Sequence, residues 1–309
     1  MDRKKEYSSL IRNKAIELGF SDCGITPARV REEDINVLEN WLANKMHAGM
    51  SYMEKHAPLR KDPEKLLPDA KSVIPVILNY YTTRMQDDID APVVSKYAYG
   101  RDYHKVLKKK LKQLLSFVKE TIPGTRGRPF VDSAPLMEHA FARDAGLGWI
   151  GKHSLLISPD YGTYVFIGEL IIDKELEYDT RELKDLCGNC RICIDECPTH
   201  AIQPGRVVDA NKCISYLTIE NKNEIPVKFK NNFYNRVYGC DICQEVCPWN
   251  RKLTEHATDD FKPRQEMISM SKEEWKELDE KKFNNIFRGT AVMRAKYRGL
   301  KRNIDYLDL

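Results

Sequence analysis

Eight of the nine cysteines fall between positions 187 and 247, in two runs that share a pattern. The first is Cys187-x2-Cys190-x2-Cys193-x3-Cys197-Pro198, the spacing in which three thiolates close on one iron–sulfur cubane and the fourth crosses to a second. The tight spacing lets three sulfurs reach three irons of one cube, while the Cys-Pro step turns the fourth sulfur away. Downstream, Cys213-x26-Cys240-x2-Cys243-x3-Cys247-Pro248 repeats the pattern with an insertion after its first ligand. The two runs complete one another. They predict two 4Fe-4S clusters, one on Cys187, Cys190, Cys193 and Cys247, the other on Cys197, Cys213, Cys240 and Cys243. A pair of zinc sites, the alternative for Cys-x2-Cys pairs, needs neither a third cysteine at x2 nor the Cys-Pro endings. Cys23 stands apart and reads as a small buried thiol.

Two neighbouring clusters make an electron relay. The relay occupies less than a third of the chain, so the larger remainder is expected to receive the electrons. Its periodicity predicts a helix over 4–18 with Tyr7, Leu10, Ile11, Ile16 and Leu18 on or near one face, stopped by Gly19. A short strand over 22–25 and a helix over 30–43 carrying Leu38, Trp41 and Leu42 follow. The apolar run 73–81 reads as a buried strand. Leu107, Leu111, Leu114 and Val118 recur at helical spacing, with Lys105, Lys108, Lys109, Lys110 and Lys112 on the remaining surface, up to Pro123-Gly124. A strand over 128–133, a helix over 136–145, a glycine-punctuated turn over 146–151 and strands over 154–158 and 163–172 complete this half. The alternation implies an α+β or α/β layer structure with a mixed sheet, and the polar stretch 173–185 marks a boundary.

The 309 residues suffice for one large or two medium domains. A charged fraction of 31% and the absence of any apolar run near the ~20 residues that span a bilayer argue against a membrane segment. The polar start, Met1-Asp2-Arg3-Lys4-Lys5-Glu6, lacks the apolar stretch of a secretory signal, so a cytoplasmic location is expected. A net charge of +4 does not by itself declare a nucleic-acid binder.

The segments Tyr99-Gly-Arg-Asp-Tyr-His104, Arg128-Pro-Phe-Val-Asp-Ser-Ala-Pro135 and Ala145-Gly-Leu-Gly-Trp-Ile-Gly-Lys-His153, followed by Tyr161-Gly, Gly168-Glu-Leu, the cysteine runs, Cys247-Pro-Trp-Asn250 and Gly289 to Asn303, resemble the epoxyqueuosine reductase family. The resemblance covers nearly the whole chain. It implies a cobalamin enzyme, related in design to reductive dehalogenases, that reduces epoxyqueuosine at the wobble position of a transfer RNA to queuosine, the last step of queuosine biosynthesis. It implies a cobalamin-binding catalytic domain over 1–175, a ferredoxin-like two-cluster domain over 176–260 and a helical, basic segment over 261–309.

The same resemblance makes Asp132 the proton donor, with burial near the corrin expected to raise its pKa. Arg60, Tyr97, Ala98, Asp132, Leu156, Ile167, Ser215 and Asp241 become cobalamin contacts, several through backbone atoms. Lys152 and His153 follow a glycine-rich turn suited to close approach of that cofactor. His139 stands where relatives often carry Arg, near the substrate. No Asp-x-His-x-x-Gly pattern of His-on cobalamin modules is present, as the family would lead one to expect.

The partners implied are a transfer RNA carrying epoxyqueuosine and a low-potential electron donor, with the protein acting as a monomer and away from membranes. Arg288, Arg294, Lys296, Arg298, Lys301 and Arg302 form a stripe with no acid between 288 and 302, suited to phosphate contacts. Lys222 to Lys230, interleaved with Phe229 and Phe233, and the lysines of 105–112 are further candidates. Many family members continue into helical repeats, whereas this sequence stops at Leu309. Two alternatives stay open from the residues alone: a reductive dehalogenase-like small-molecule reductase, and a ferredoxin-like electron carrier.

Overall fold

The computed structural model describes residues 3–180 and 183–308. Its centre is a five-stranded sheet ordered β1 (Asp22–Cys23), β3 (Ser72–Asn79), β8 (Val165–Ile172), β5 (Gly127–Phe130), with β2 (Thr26–Pro27) also on β3. Strand β3 is buried at every position, as its unbroken apolar sequence requires of a strand covered on both faces. It pairs with β8 from Ser72 opposite Ile172 to Asn79 opposite Val165. Every pairing in this sheet is antiparallel. The mixed sheet expected from alternating elements is thus narrowed. The one parallel pairing among the described residues joins β4 (Val93–Val94) to a strand at Arg236–Tyr238 outside the main sheet.

Helix α1 (Arg3–Glu17) buries Ser8, Ile11 and Ala15, while Leu10 and Ile16 lie exposed. The expected apolar face is therefore rotated, because the Ser8 hydroxyl is drawn inward to the backbone of Glu177. Helix α2 (Glu32–Ala43) is followed by two short helices, α3 (Ser51–Lys55) and α4 (Ala57–Arg60). Helix α5 (Tyr103–Thr121) covers one face of the sheet with Leu107, Leu111, Leu114 and Val118 fully buried, each contributing about 1.5–3 kcal/mol. Asp102 caps it, accepting the His104 N–H. Helix α6 (Glu138–Asp144) packs on the other face.

Strand β5 ends at Phe130, short of the expected Ser133, because Asp132 takes a left-handed backbone (φ 39°) that turns the chain out of the sheet. Two short strands, β6 (Trp149–Ile150), which lies within the glycine turn, and β7 (Leu156–Ile157), pair antiparallel. Beyond 185, the cysteine runs each bear a short helix, Ile192–Asp195 and Ile242–Glu245, and these two helices pack together. The C-terminal helices form a core of their own around Trp275, Phe283, Phe287 and Leu300, which also takes in Val94, Ala98 and Tyr238. No described helix is long and apolar enough to cross a membrane.

Candidate active site and cluster-binding region

Asp132 sits at the end of the edge strand, where its left-handed backbone aims the carboxylate at the start of α5. The Tyr103 hydroxyl donates to Oδ2, and His104 Nε2 lies 3.2 Å from the same oxygen. The other nitrogen of His104, Nδ1, lies 2.8 Å from Asp102 Oδ1. One imidazole thus bridges two carboxylates. Tyr103 is fixed in turn by stacking on Phe166 of β8, centroids 4.2 Å apart and planes 3° from parallel.

These contacts reverse the expected titration of Asp132. Burial would raise its pKa, but hydrogen bonds from His104 and Tyr103, and the charges of His104 and Arg294, pull it below the ordinary carboxylate value. Burial likewise works to lower His104, yet the hydrogen bonds and charges of Asp102 and Asp132 win and push it up to about 9. At neutral pH the site holds an ionised Asp132 beside a charged His104. The proton that the sequence reading put on the aspartate rests on the histidine.

The Asp132 side chain is 55% exposed, yet desolvation by surrounding protein is the largest influence on it. The same holds for His139, exposed at its surface and kept neutral by the protein around it. Groups both accessible and closely surrounded lie on the floor of an open cleft. Tyr52, Arg60, Tyr97, Tyr103 and Arg294 stand within electrostatic reach of that floor.

The remaining anticipated cofactor contacts divide. Arg60 donates from Nη1 to the Leu136 carbonyl, and its buried Nε has no partner. Tyr97 lies edge-on to Tyr103, and Ala98 is buried beside it. Asp241 is buried between Cys240 and Cys243 and accepts the Lys96 N–H at 2.8 Å, which ties the 95–98 segment to the second cysteine run. Ser215 is half-buried two residues after Cys213. Leu156 and Ile167 turn their side chains into one apolar cluster under α6, leaving their backbones for any outward contact.

Lys152 departs from its expected role. Its ammonium donates to the carbonyls of Gly188 and Cys190, both at 2.7 Å, and so grips the first cysteine loop. His153 is buried, accepts the Leu155 N–H at Nδ1 and leaves Nε2 without a partner.

None of the nine cysteines is paired in a disulfide. The structure brings eight of them together in two groups. Cys193 feels Cys247, Cys187 and Cys190, and Cys247 feels Cys187 and Cys190. Cys243 feels Cys240 and Cys213, and Cys213 feels Cys197. Burial and mutual repulsion push Cys193 up to about 11 and Cys240 up to about 12. Four crowded thiols can ionise together only around a cationic centre, which a 4Fe-4S cube supplies. Cys23 is buried in the main core.

The basic stripe breaks up. Arg302 donates to the carbonyls of Leu217, Asn221 and Asn223, acting as an internal clamp rather than an RNA contact. Lys301 pairs with Asp305, and Arg294 makes a two-pronged pair with Glu220. Lys222, Lys296, Arg298 and Arg288 remain exposed. Phe229 and Phe233 are core residues and offer no stacking platform, because the segment between them folds over its own apolar cluster. Sequence reasoning did not anticipate that Arg288 joins Arg101, Lys105, Lys262 and Arg264 around a depression of about 590 Å³, which Asp260 and Asp259 also line, paired with Arg101 and Lys262. Arg101 and Lys105 flank the Asp102-Tyr103-His104 tract, so the depression adjoins the cleft.

Comparison with known proteins agrees with this geometry. Residues 60–133 match the family model described as "Epoxyqueuosine reductase QueG, DUF1730", and residues 186–250 match a "4Fe-4S double cluster binding domain". A protein named epoxyqueuosine reductase from Cellulophaga algicola is 50% identical over 307 residues, covering 99% of this chain and 100% of that one. One of the same name from Escherichia coli is 40% identical over 304 residues, covering 97% and 80%. A crystal structure of epoxyqueuosine reductase with an epoxyqueuosine-modified tRNA stem loop superposes with a TM-score of 0.89 at 28% identity, over 98% of this chain and 80% of that one.

Proposed function

We propose the following account for a chain that belongs to the epoxyqueuosine reductase family. The reaction is the reduction of epoxyqueuosine to queuosine in a transfer RNA, with electrons relayed by two 4Fe-4S clusters. Full-length likeness to proteins of that name leaves a pure electron carrier or a small-molecule reductase without support. The observation that carries the chemistry is Asp132, bonded to Tyr103 and His104 in the cleft.

The family implies cobalamin, and the cleft fits it. The partnerless Arg60 Nε offers a donor to a cofactor amide or phosphate, half-buried Tyr97 offers an aromatic ring, Ala98 only its backbone, and buried Asp241 ties the 95–98 segment to the cluster region. Arg60, Tyr97, Ala98, Ser215 and Asp241 would hold the group, with Leu156 and Ile167 contributing backbone. When bound, cobalamin supplies a low-potential metal able to pass electrons from the clusters to the substrate. Lys152 serves elsewhere, holding the loop of the cluster on Cys187, Cys190, Cys193 and Cys247.

Epoxide reduction consumes two electrons and two protons and releases water. As the first C–O bond breaks, the oxygen gains negative charge and must be protonated. Asp132 is the group that delivers this proton, passing on the one stored at His104 Nε2, while Asp102 holds the imidazole in place through Nδ1. Tyr103 keeps the carboxylate turned toward the cleft. Neutral His139 borders the substrate without adding charge.

On the RNA side, Lys222, Arg294, Lys296 and Arg298 line one approach, and Lys105, Arg264 and Arg288 of the depression, where Asp260 already pairs with Arg101, suit phosphates next to the reacting nucleotide. The three-part division at about 175 and 260, the cytoplasmic location, the monomeric state and a separate low-potential electron donor belong to the same proposal.

The test is reconstitution with iron, sulfide and cobalamin, desalting, and reaction with an epoxyqueuosine-bearing stem-loop followed by mass spectrometry. About eight irons and one cobalt per chain, with loss of one oxygen from the base, are expected. Iron retained without cobalt, and no oxygen lost, would sink the account.

A further inference from the structure

Lys152 follows the glycine turn, two residues after β6, and is half-buried. Its ammonium donates to the Gly188 and Cys190 carbonyls, both at 2.7 Å, across 36 and 38 positions of sequence. The gripped loop also closes on itself, the Cys190 N–H donating to the Cys187 carbonyl at 2.9 Å, and Gly188 takes the left-handed backbone (φ 46°) that so tight a turn needs. A trans peptide points its C=O and its N–H in opposite directions. The two peptides whose carbonyls meet Lys152 therefore turn the N–H groups of Asn189 and Arg191 away from it. Neither N–H has a backbone acceptor among the described residues, so these are the donors the loop can offer to sulfur.

Charge separates this cysteine run from the other. Among the described residues no carboxylate pairs with Lys152, so its positive charge at the loop is not cancelled. Trp149, Ile157 and Trp249 pack around Cys187 and Cys247, with the two indoles edge to face and their centroids 4.7 Å apart. That packing keeps water from one flank of the site, where a charge is then poorly screened. Arg236, four residues before Cys240, is cancelled instead by a two-pronged pair with Glu245 at 3.0 and 2.6 Å. The second group of cysteines has a sulfur donor of its own, the Ala201 N–H at 3.3 Å from Cys197 Sγ. A neutral donor counts for roughly half a charged one.

Reduction adds one negative charge to a cubane, so a nearby cation and N–H groups turned toward sulfur favour the reduced form. We infer that Lys152 sets the two clusters apart in potential, making the one on Cys187, Cys190, Cys193 and Cys247 the more easily reduced, where the first electron waits for the second. In that step a low-potential donor loses one electron and this cluster gains it, with no proton taken up. The second electron fills the cluster on Cys197, Cys213, Cys240 and Cys243. Lys152 acts through the loop and touches no reacting atom. The inference rests on the two-cluster relay proposed above and not on the identity of the substrate.

The test is an anaerobic reductive titration of the full-length chain carrying both clusters, followed by electron paramagnetic resonance without substrate. Wild type should show two one-electron steps, and the step at higher potential should be the one missing from Cys187→Ser. Lys152→Met keeps the aliphatic stem and removes the charge and both hydrogen bonds. Its upper step should fall until the reduction equilibrium is about tenfold less favourable, about 59 mV for one electron. The lower step should stay, and iron should remain near about eight per chain. Lys152→Arg, which keeps the charge, should recover most of the shift, as damage to the loop would not. An upper step that belongs to the other cluster, or unmoved steps in Lys152→Met, would overturn the inference. Should Lys152→Met fail to hold the first cluster, Lys152→Gln, neutral but still able to donate, decides by the same shift. A wild-type chain that holds fewer than two clusters overturns the relay itself, whereas two clusters reduced in the opposite order overturn only the role given to Lys152.

Discussion

Replacing Asp102 by Asn isolates the electrostatic part of the proton-donor network. Asparagine caps a helix about as well as aspartate, so α5 keeps its start, losing about 0.3–1 kcal/mol of charge–dipole stabilisation. What changes is His104. Its pKa is lifted from 6.5 to about 9 by two carboxylates, each hydrogen-bonded to one ring nitrogen. Removing one charge should bring it down by roughly one unit, worth about 1.4 kcal/mol. At pH 8 about nine-tenths of His104 is protonated when its pKa is about 9, and about half when it is about 8. The sign is fixed. A raised histidine pKa means the proton-loaded form persists below about 9 and is lost above it, so activity falls on the alkaline side. In Asp102→Asn that alkaline limb should move roughly one unit lower while the plateau at pH 6 stays near wild type. The assay is kcat against pH with chemically pre-reduced clusters, so that electron supply is not limiting. An alkaline limb that does not move would refute the claim that the working proton rests on His104.

Substituting Cys247 by Ser should abolish the same spectroscopic cluster as substituting Cys187, and Cys197→Ser should abolish the other, with iron falling toward half of about eight in each case; electron paramagnetic resonance of the reduced protein checks this. Lys105→Ala and Arg288→Ala should each lower the slope of log affinity against log salt for the stem-loop by about one and raise KM with kcat unchanged, measured by titration at several salt concentrations. Arg302→Ala should cost about 1–3 kcal/mol by stranding the carbonyls of Leu217, Asn221 and Asn223, seen as a lower Tm, yet leave that salt slope alone.

What could be read from the residue order follows from how local each signal is. The cysteine grouping is encoded in spacings of two and three residues, and the long α5 helix in its leucine repeat, so both stand out. The state of Asp132 could not be read, because Tyr103 and His104 lie 29 and 28 positions earlier and meet it only across the end of the sheet. Burial alone pointed to a raised pKa, and the partners that reverse it are tertiary. Arg302 fails for the same reason. A cation in a basic stripe looks solvent-facing until the fold brings three carbonyls to it. The antiparallel sheet was hidden because buried strands show an unbroken apolar run whichever direction their neighbours take.

The grip of Lys152 on the Gly188 and Cys190 carbonyls reaches beyond the cysteine loop itself. A cube bound by Cys187, Cys190 and Cys193 would constrain the same loop that carries those carbonyls. A rearrangement of that loop on loss of the cube is expected to take both acceptors from the ammonium and the anchor from the 151–155 loop between β6 and β7. Order in the catalytic layer is thereby linked by mass action to cube occupancy, as for any site filled only in the folded state. Iron-depleted protein is therefore expected to be cleaved faster in this loop than cluster-loaded protein, whether or not any transfer RNA is being modified.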